Sequence, residues 1–194
     1  YRKNNEDAFL APHADVPVLA VADGMGGHKG GEVASSTAID LLSALLKSED
    51  LPSFLEDEEK LAVFLQKAVA EINSRIFAMA GADPELEGMG TTFVAAVVTD
   101  NNKLIMVNVG DSRAYVIRNG VVSQITKDHS LVQELYEAGN ITKEEMTTHP
   151  YKNVITRAVG IEEKVSCDLF TEKLKDGDLV MLCSDGLTIH VDPE

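Results

Sequence analysis

Basic residues are scarce in this chain: 17 Lys and Arg stand against 32 Asp and Glu, a formal charge of −15. A nucleic-acid binder needs a basic footprint, and none is offered here. Cysteine is almost absent. Cys167 and Cys183 cannot build a disulfide framework, so a reducing compartment is expected. No apolar run approaches the roughly 18–20 residues that cross a bilayer, and no basic-then-apolar leader opens the sequence. Repeats, low-complexity tracts and Pro/Gly-rich linkers are missing too. What remains is the expectation of one cytoplasmic domain. Its 194 residues are 44% apolar, enough for a sizeable core.

The apolar pattern changes period along the chain. Val16 to Ala22 is a short apolar run ending at Asp23-Gly24, which predicts a buried strand. After a glycine-rich loop, Gly24 to Gly31, the spacing of Val33, Ala34, Ile39, Leu42, Leu45 and Leu46 predicts a helix over 32–47. A second helix is predicted over 58–79, with Leu61, Phe64, Leu65, Ala68, Val69, Ile72 and Ile76 on one face. Strands are then expected over 91–99, 103–109, 113–118 and 121–126, with Asn119-Gly120 as a hairpin turn. Short charged helical pieces follow in 130–148, then strands over 164–174 and 178–183 about an Asp176-Gly177 turn. Helices followed by an antiparallel meander imply an α+β sandwich rather than alternating βαβ units.

Four polar clusters interrupt this pattern. Arg2-Lys3-Asn4-Asn5-Glu6-Asp7 reads, by itself, as a solvated strand entry. Asp23-Gly24-Met25-Gly26-Gly27-His28 ends a buried strand with glycines that let backbone approach an ion or phosphate; the plain alternative is a tight turn with Asp23 as helix cap. Lys29 stands where a dinucleotide fingerprint needs its third glycine, and no Gly-Lys-Ser/Thr follows, so a nucleotide site is disfavoured. Val109-Gly110-Asp111-Ser112-Arg113 is either a functional break or a hairpin turn with a local Asp111–Arg113 pair. Leu182-Cys183-Ser184-Asp185-Gly186 ends a second apolar run in the same Asp-Gly dipeptide. Two such ends in one sheet would set carboxylates side by side, where they repel unless a cation intervenes. Oxygen-only donors suit Mg²⁺ or Mn²⁺. Covalent routes lack their parts. Lys173 and Ile189 stand where a cysteine-dependent phosphatase needs an arginine, Asp176-Gly177-Asp178 precedes its strand, and no Gly-x-Ser-x-Gly elbow exists.

Taken together with Gly90-Thr91-Thr92, these clusters resemble, in order and spacing, the type 2C (PPM) serine/threonine protein phosphatases. Asp128-His129-Ser130-Leu131, Thr148-His149-Pro150 and the stretch Asn153 to Gly160 are similar to the bacterial branch. The resemblance implies a four-layer αββα sandwich of two antiparallel sheets flanked by helix pairs, with a metal site at one end. It implies hydrolysis of phosphoserine and phosphothreonine by a water activated between two divalent ions, Mn²⁺ or Mg²⁺. By motif match, Asp23 would bridge the metals, Gly24 would lend its carbonyl, and Asp185 would bind the first metal. Glu6 and Asp7 would hold metal-bound waters or the second ion, and Asp111 would serve a third, weaker metal. Arg2 would grip the substrate phosphate. Met25 replaces a histidine of some animal relatives, which leaves His28 or a metal-bound water to protonate the leaving group.

The same resemblance makes residues 130–153 a flap beside the site, within a catalytic domain spanning 1–194. Phosphoprotein substrates and a cognate serine/threonine kinase are the partners it implies; no membrane segment is expected. The family's strand before the Arg2 motif and its closing Asp-Asn ligand have no counterpart in the sequence, and Ile189 replaces an aspartate of many relatives. A catalytically weak, phosphoprotein-binding module is therefore the alternative expectation.

Overall fold

In the computed structural model, residues 5–12, 17–26, 29–48, 54–189 and 191 are described. Strand β1 (Asp7–Leu10) pairs antiparallel with β2 (Val18–Met25). Helices α1 (Gly30–Ser48) and α2 (Glu58–Ala82) follow. Asp57 caps α2, its carboxylate accepting from Lys60 N–H at 3.1 Å. Then come β3 (Gly90–Thr91), β4 (Phe93–Val98), β5 (Lys103–Val109), β6 (Arg113–Arg118) and β7 (Val121–Gln124). Two short helices, α3 (Leu131–Glu137) and α4 (Lys143–Thr148), precede β8 (Asp168–Lys173), β9 (Leu179–Cys183) and the single-turn α5 (Asp185–Thr188).

The strands form two antiparallel sheets. The larger has the order β1-β2-β4-β5-β8, with β3 also on β2; the smaller is β7-β6-β9. Strand residues alternate faces, and in β4 and β5 both faces are apolar. Phe93, Ala95, Val97, Ile105, Val107 and Val109 join the buried stripes of α1 and α2 in one core. Val94, Ala96, Leu104 and Met106 meet Ala114 and Val116 of the smaller sheet in another. The helix pair thus covers one face of the large sheet, and the small sheet covers the other.

The sequence-based bounds hold with local differences. The strand expected over 91–99 breaks at Thr92, whose side chain turns to other duties described below. The run expected to end at Ala22 continues as strand to Met25, the strand expected over 121–126 stops at Gln124, and the last two are shorter than expected, since 164–167, 174 and 178 stay outside the ladders. Asn119 and Gly120 both have positive φ (53° and 80°), the conformation a two-residue hairpin requires.

One residue on the buried face of α2 is polar. Asn73, 1% exposed, accepts from Gly160 N–H at 2.7 Å and donates to the Glu162 and Glu163 carbonyls at 3.0 and 3.1 Å. It holds the segment that bridges to β3, where Thr91 and Val159 exchange backbone hydrogen bonds. Truncation would strand one buried N–H and remove the donor from two part-buried carbonyls. We expect Asn73→Ala to cost about 2–3 kcal/mol in urea unfolding; a cost below ~0.5 kcal/mol would contradict this role.

Candidate active site

The ends of four strands converge on one corner of the molecule. The β1–β2 ladder sets Asp7 opposite Asp23. The β6–β9 ladder ends with Arg113 opposite Cys183, and just beyond it Asp111 and Asp185 lie close enough for their charges to interact. Asp23 carries hydrogen-bonding and charge contacts with both Asp7 and Asp185. Ser184 Oγ donates to Asp7 Oδ2 at 3.1 Å, linking β1 to the end of β9.

The backbone at Asp23 is held tightly. Its N–H donates to Thr92 Oγ1 at 2.9 Å, and its carbonyl accepts from Thr92 N–H at 2.9 Å and Thr91 Oγ1 at 3.0 Å. Thr92 Oγ1 in turn lies 2.7 Å from Ser112 Oγ, beside Asp111. One buried hydroxyl pair therefore joins the Asp23 strand to the Asp111 turn. Asp23 is not a helix cap; β2 continues through it to Met25.

Glycine is required at Gly24 by space. Its N–H donates to the Glu6 carbonyl at 3.0 Å, and a Cβ there would lie 2.0 Å from the Gly31 carbonyl oxygen. The start of α1 thus rests directly on the end of β2, beside Glu6.

Burial and crowding shape the acidities. Burial first, then Asp7 and Asp185, push Asp23 up to about 8. Asp111 is pushed up to about 6 by burial, with Asp185 and Asp128 adding to it and Arg113 opposing. Such a cluster disfavours its own charge and would welcome a cation. Its donors are oxygens only, suited to Mg²⁺ or Mn²⁺. Among the described residues, no group of three or more His, Cys, Asp or Glu already surrounds a common metal position. The fit therefore rests on donor chemistry and on the weakened acidity of Asp23, whose charge is disfavoured until a cation offsets it.

The Asp111 turn departs from expectation. Arg113 pairs not with Asp111 but with Asp128, through Nε at 2.9 Å and Nη2 at 2.7 Å. The planar guanidinium takes its bidentate partner from another segment instead. Arg2 and His28 lie outside the described residues. Sequence reasoning assigned no chemistry to Thr92, Ser112, Ser184, Asp128 or His129. The Gly-Thr-Thr and Asp-His-Ser-Leu stretches were visible as motifs, and hydroxyls next to strand-end carboxylates were the available signal.

Comparison with known proteins decides the family. The model of protein phosphatase 2C matches residues 2–194. This chain belongs to the protein phosphatase 2C family. Serine/threonine phosphatase stp of Listeria innocua is 45% identical over 189 residues, covering 96% of this chain and 73% of the relative. The crystal structure of serine/threonine phosphatase Stp1 from Staphylococcus aureus superposes with a TM-score of 0.89 at 40% identity, covering 98% of this chain and 74% of the other. The catalytic domain of the phosphatase PstP, crystallised with two manganese ions, gives a TM-score of 0.81 at 40% identity, covering 99% and 76%. The two antiparallel sheets and flanking helices are those of a bacterial phosphatase 2C, a metal-dependent serine/threonine protein phosphatase. Among the described residues, no helix is long and apolar enough to cross a membrane.

Proposed function

We propose that this chain hydrolyses phosphoserine and phosphothreonine in proteins at the corner where Asp7, Asp23 and Asp185 meet. The observation that carries the reading is Asp23, a strand-end carboxylate pushed up to about 8 by burial and two neighbouring carboxylates. Two divalent ions, Mn²⁺ or Mg²⁺, would be held by Asp23, the Gly24 carbonyl and Asp185, with Glu6 and Asp7 on the second side and Asp111 at a third, weaker position. When bound, such ions would lower the pKa of water and offset charge on the phosphoryl oxygens.

The protein's own groups do the positioning. Thr91 and Thr92 fix the Asp23 backbone on both sides, so its carboxylate direction is set before any ion arrives. Arg2 grips the phosphate through paired guanidinium donors, and His28 holds a proton for the leaving alkoxide. Residues 130–153 act as a flap that reads the substrate protein. A four-layer sandwich, a cytoplasmic setting and a cognate serine/threonine kinase complete the reading.

The test is phosphate release from a phosphothreonine peptide, with and without Mn²⁺. Activity is expected only with metal, and Asp185→Asn should lower it by about 100-fold or more, since even residues that merely support ligands cost 10–100-fold. A metal-independent rate that survives Asp185→Asn overturns the reading. Tight phosphopeptide binding without release would favour a binding module instead.

A further inference from the structure

The Asp111 turn is gripped from both sides by consecutive residues at the root of 130–153. Downstream of Asp111, Arg113 is paired with Asp128. Upstream, Gly110 exchanges two hydrogen bonds with His129: its carbonyl accepts from His129 N–H at 2.9 Å, and its N–H donates to His129 Nδ1 at 3.0 Å. Asn108 Nδ2 adds a bridge, donating to the Gly110 and Lys127 carbonyls at 3.2 and 3.1 Å. Gly110 has φ +103°, and a Cβ there would lie 2.7 Å from Thr92 Cγ2. The turn has little room to settle elsewhere.

His129 is buried, its side chain 4% exposed. A backbone N–H can only donate, so Nδ1 must carry a lone pair toward Gly110. A neutral imidazole then has its proton on Nε2. Among the described residues, the carboxylate beside Nε2 is that of Asp168, with Oδ2 at 3.2 Å. Arg157 Nη1 stands 3.0 Å from the same Nε2 and donates to Asp168 Oδ1 at 2.8 Å. Asp168 therefore takes hydrogens from both, and the guanidinium opposes a charged ring. Burial above all, with Asp168 opposing and Arg157 adding to it, holds the imidazole below its ordinary range. Such an acceptor-fixed imidazole is how proteins orient a group one bond removed from a ligand.

We propose that His129 is a positioning residue for the reaction. Through the Nδ1 lone pair, with Nε2 turned toward Asp168, it holds the Gly110 N–H and so fixes the turn that carries Asp111 beside Asp185. The proposal rests on the reading that Asp111 serves a metal. Its action passes through Gly110 backbone, not through contact with substrate or ion.

Two variants separate the two nitrogens of the ring. Asn places its oxygen where Nδ1 stands and keeps the Gly110 acceptor. Gln reaches the Nε2 position and loses that acceptor. Mn²⁺ binding is measured by calorimetry on the protein, beside phosphate release, with Asp111→Asn as control. His129→Gln should weaken the Asp111-dependent Mn²⁺ site about tenfold or more, His129→Asn should restore it to within about threefold, and Asp111→Asn should remove it. Nitrogen NMR of the metal-free, unsubstituted protein should show the Nε2–H tautomer. An Nδ1–H tautomer, or equal Mn²⁺ affinities for the Asn and Gln variants, overturns the proposal. Should Gln fail to fold, the tautomer still decides. If Asp111→Asn weakens Mn²⁺ binding and His129→Gln does not, this proposal alone falls; if Asp111→Asn changes nothing, the reading of Asp111 falls with it.

Discussion

Asp23→Asn should abolish metal-dependent phosphate release and, in chelator, make the fold more stable. The first effect follows from removing the charge at the centre of the carboxylate cluster. Loss of a single neutral donor to a developing charge already costs about 10²–10³ in rate. Removing a carboxylate proposed to hold the ions should cost at least ~10³. The second effect has a definite sign. Asp23 titrates near 3.8 in the unfolded chain and is pushed up to about 8 in the metal-free fold. Between those values the native state keeps a proton that the unfolded state has released. Stability is therefore full below pH 3.8, falls as pH rises, and the loss is complete above about 8. Asp23 is partly open to solvent, so screening reduces the cost to on the order of 2 kcal/mol at pH 8. Asn has no such charge, and its variant should show a flatter stability profile across that window. Urea unfolding in EDTA at several pH values measures this; stability that rises through the window in the unsubstituted protein would refute it. Saturating Mn²⁺ should reverse the order, because a bound ion stabilises only the chain that retains its ligand.

Gly24→Ala should be the most damaging single-methyl change near the site. The added Cβ would lie 2.0 Å from the Gly31 carbonyl oxygen and 2.8 Å from that of Glu6. Both obstacles are backbone, so no side chain can swing aside. Either α1 lifts from β2 or the Gly24–Glu6 hydrogen bond opens. Overpacking commonly costs 1–3 kcal/mol, and with backbone on two sides we expect about 3 kcal/mol or more. The shift should appear as a lowered urea midpoint with unchanged slope. Activity should fall as well, since α1 and β2 meet at the metal corner. Gly120→Ala is the informative comparison: it also adds one methyl, but with no heavy atom within 4 Å of the new Cβ, leaving only the φ penalty. Equal losses at the two positions would show that contact with Gly31 is not the cause.

Much of this architecture was legible in order. The Asp-Gly at 185 did mark a strand end, whereas β2 runs through the one at 23 to Met25; the two aspartates come close enough to interact. The helical stripe of α2 was visible from Leu61 to Ile76, yet Asn73 within it was not read as an anchor, because its partners lie near Gly160. The Arg113 pairing failed for a related reason. A pair with Asp111, two residues away, was one of two readings of the turn; the bidentate partner, Asp128, arrives from another segment. Hydroxyls were the least legible. Thr92 and Ser112 are common residue types, and only the fold shows that they touch. Sequence periodicity reports which face is wet; it carries no information on which distant polar atoms meet.

The doubly apolar faces of β4 and β5 have a consequence for how the chain finds its alignment. A strand with one wet face resists slipping by one residue, because the slip would bury its polar side. Here both sides are greasy: sliding β4 against β5 merely exchanges one apolar surface for another, and hydrophobicity is nearly blind to the error. The polar residues at the strand ends supply the missing key. Thr92 finds Asp23 and Ser112, and Asn108 finds the Gly110 and Lys127 carbonyls, only in the native alignment. The acidic corner thus acts as an indexing notch for the sheet. Simplifying its hydroxyls and amide would leave a chain able to collapse but less able to tell one pairing from the next.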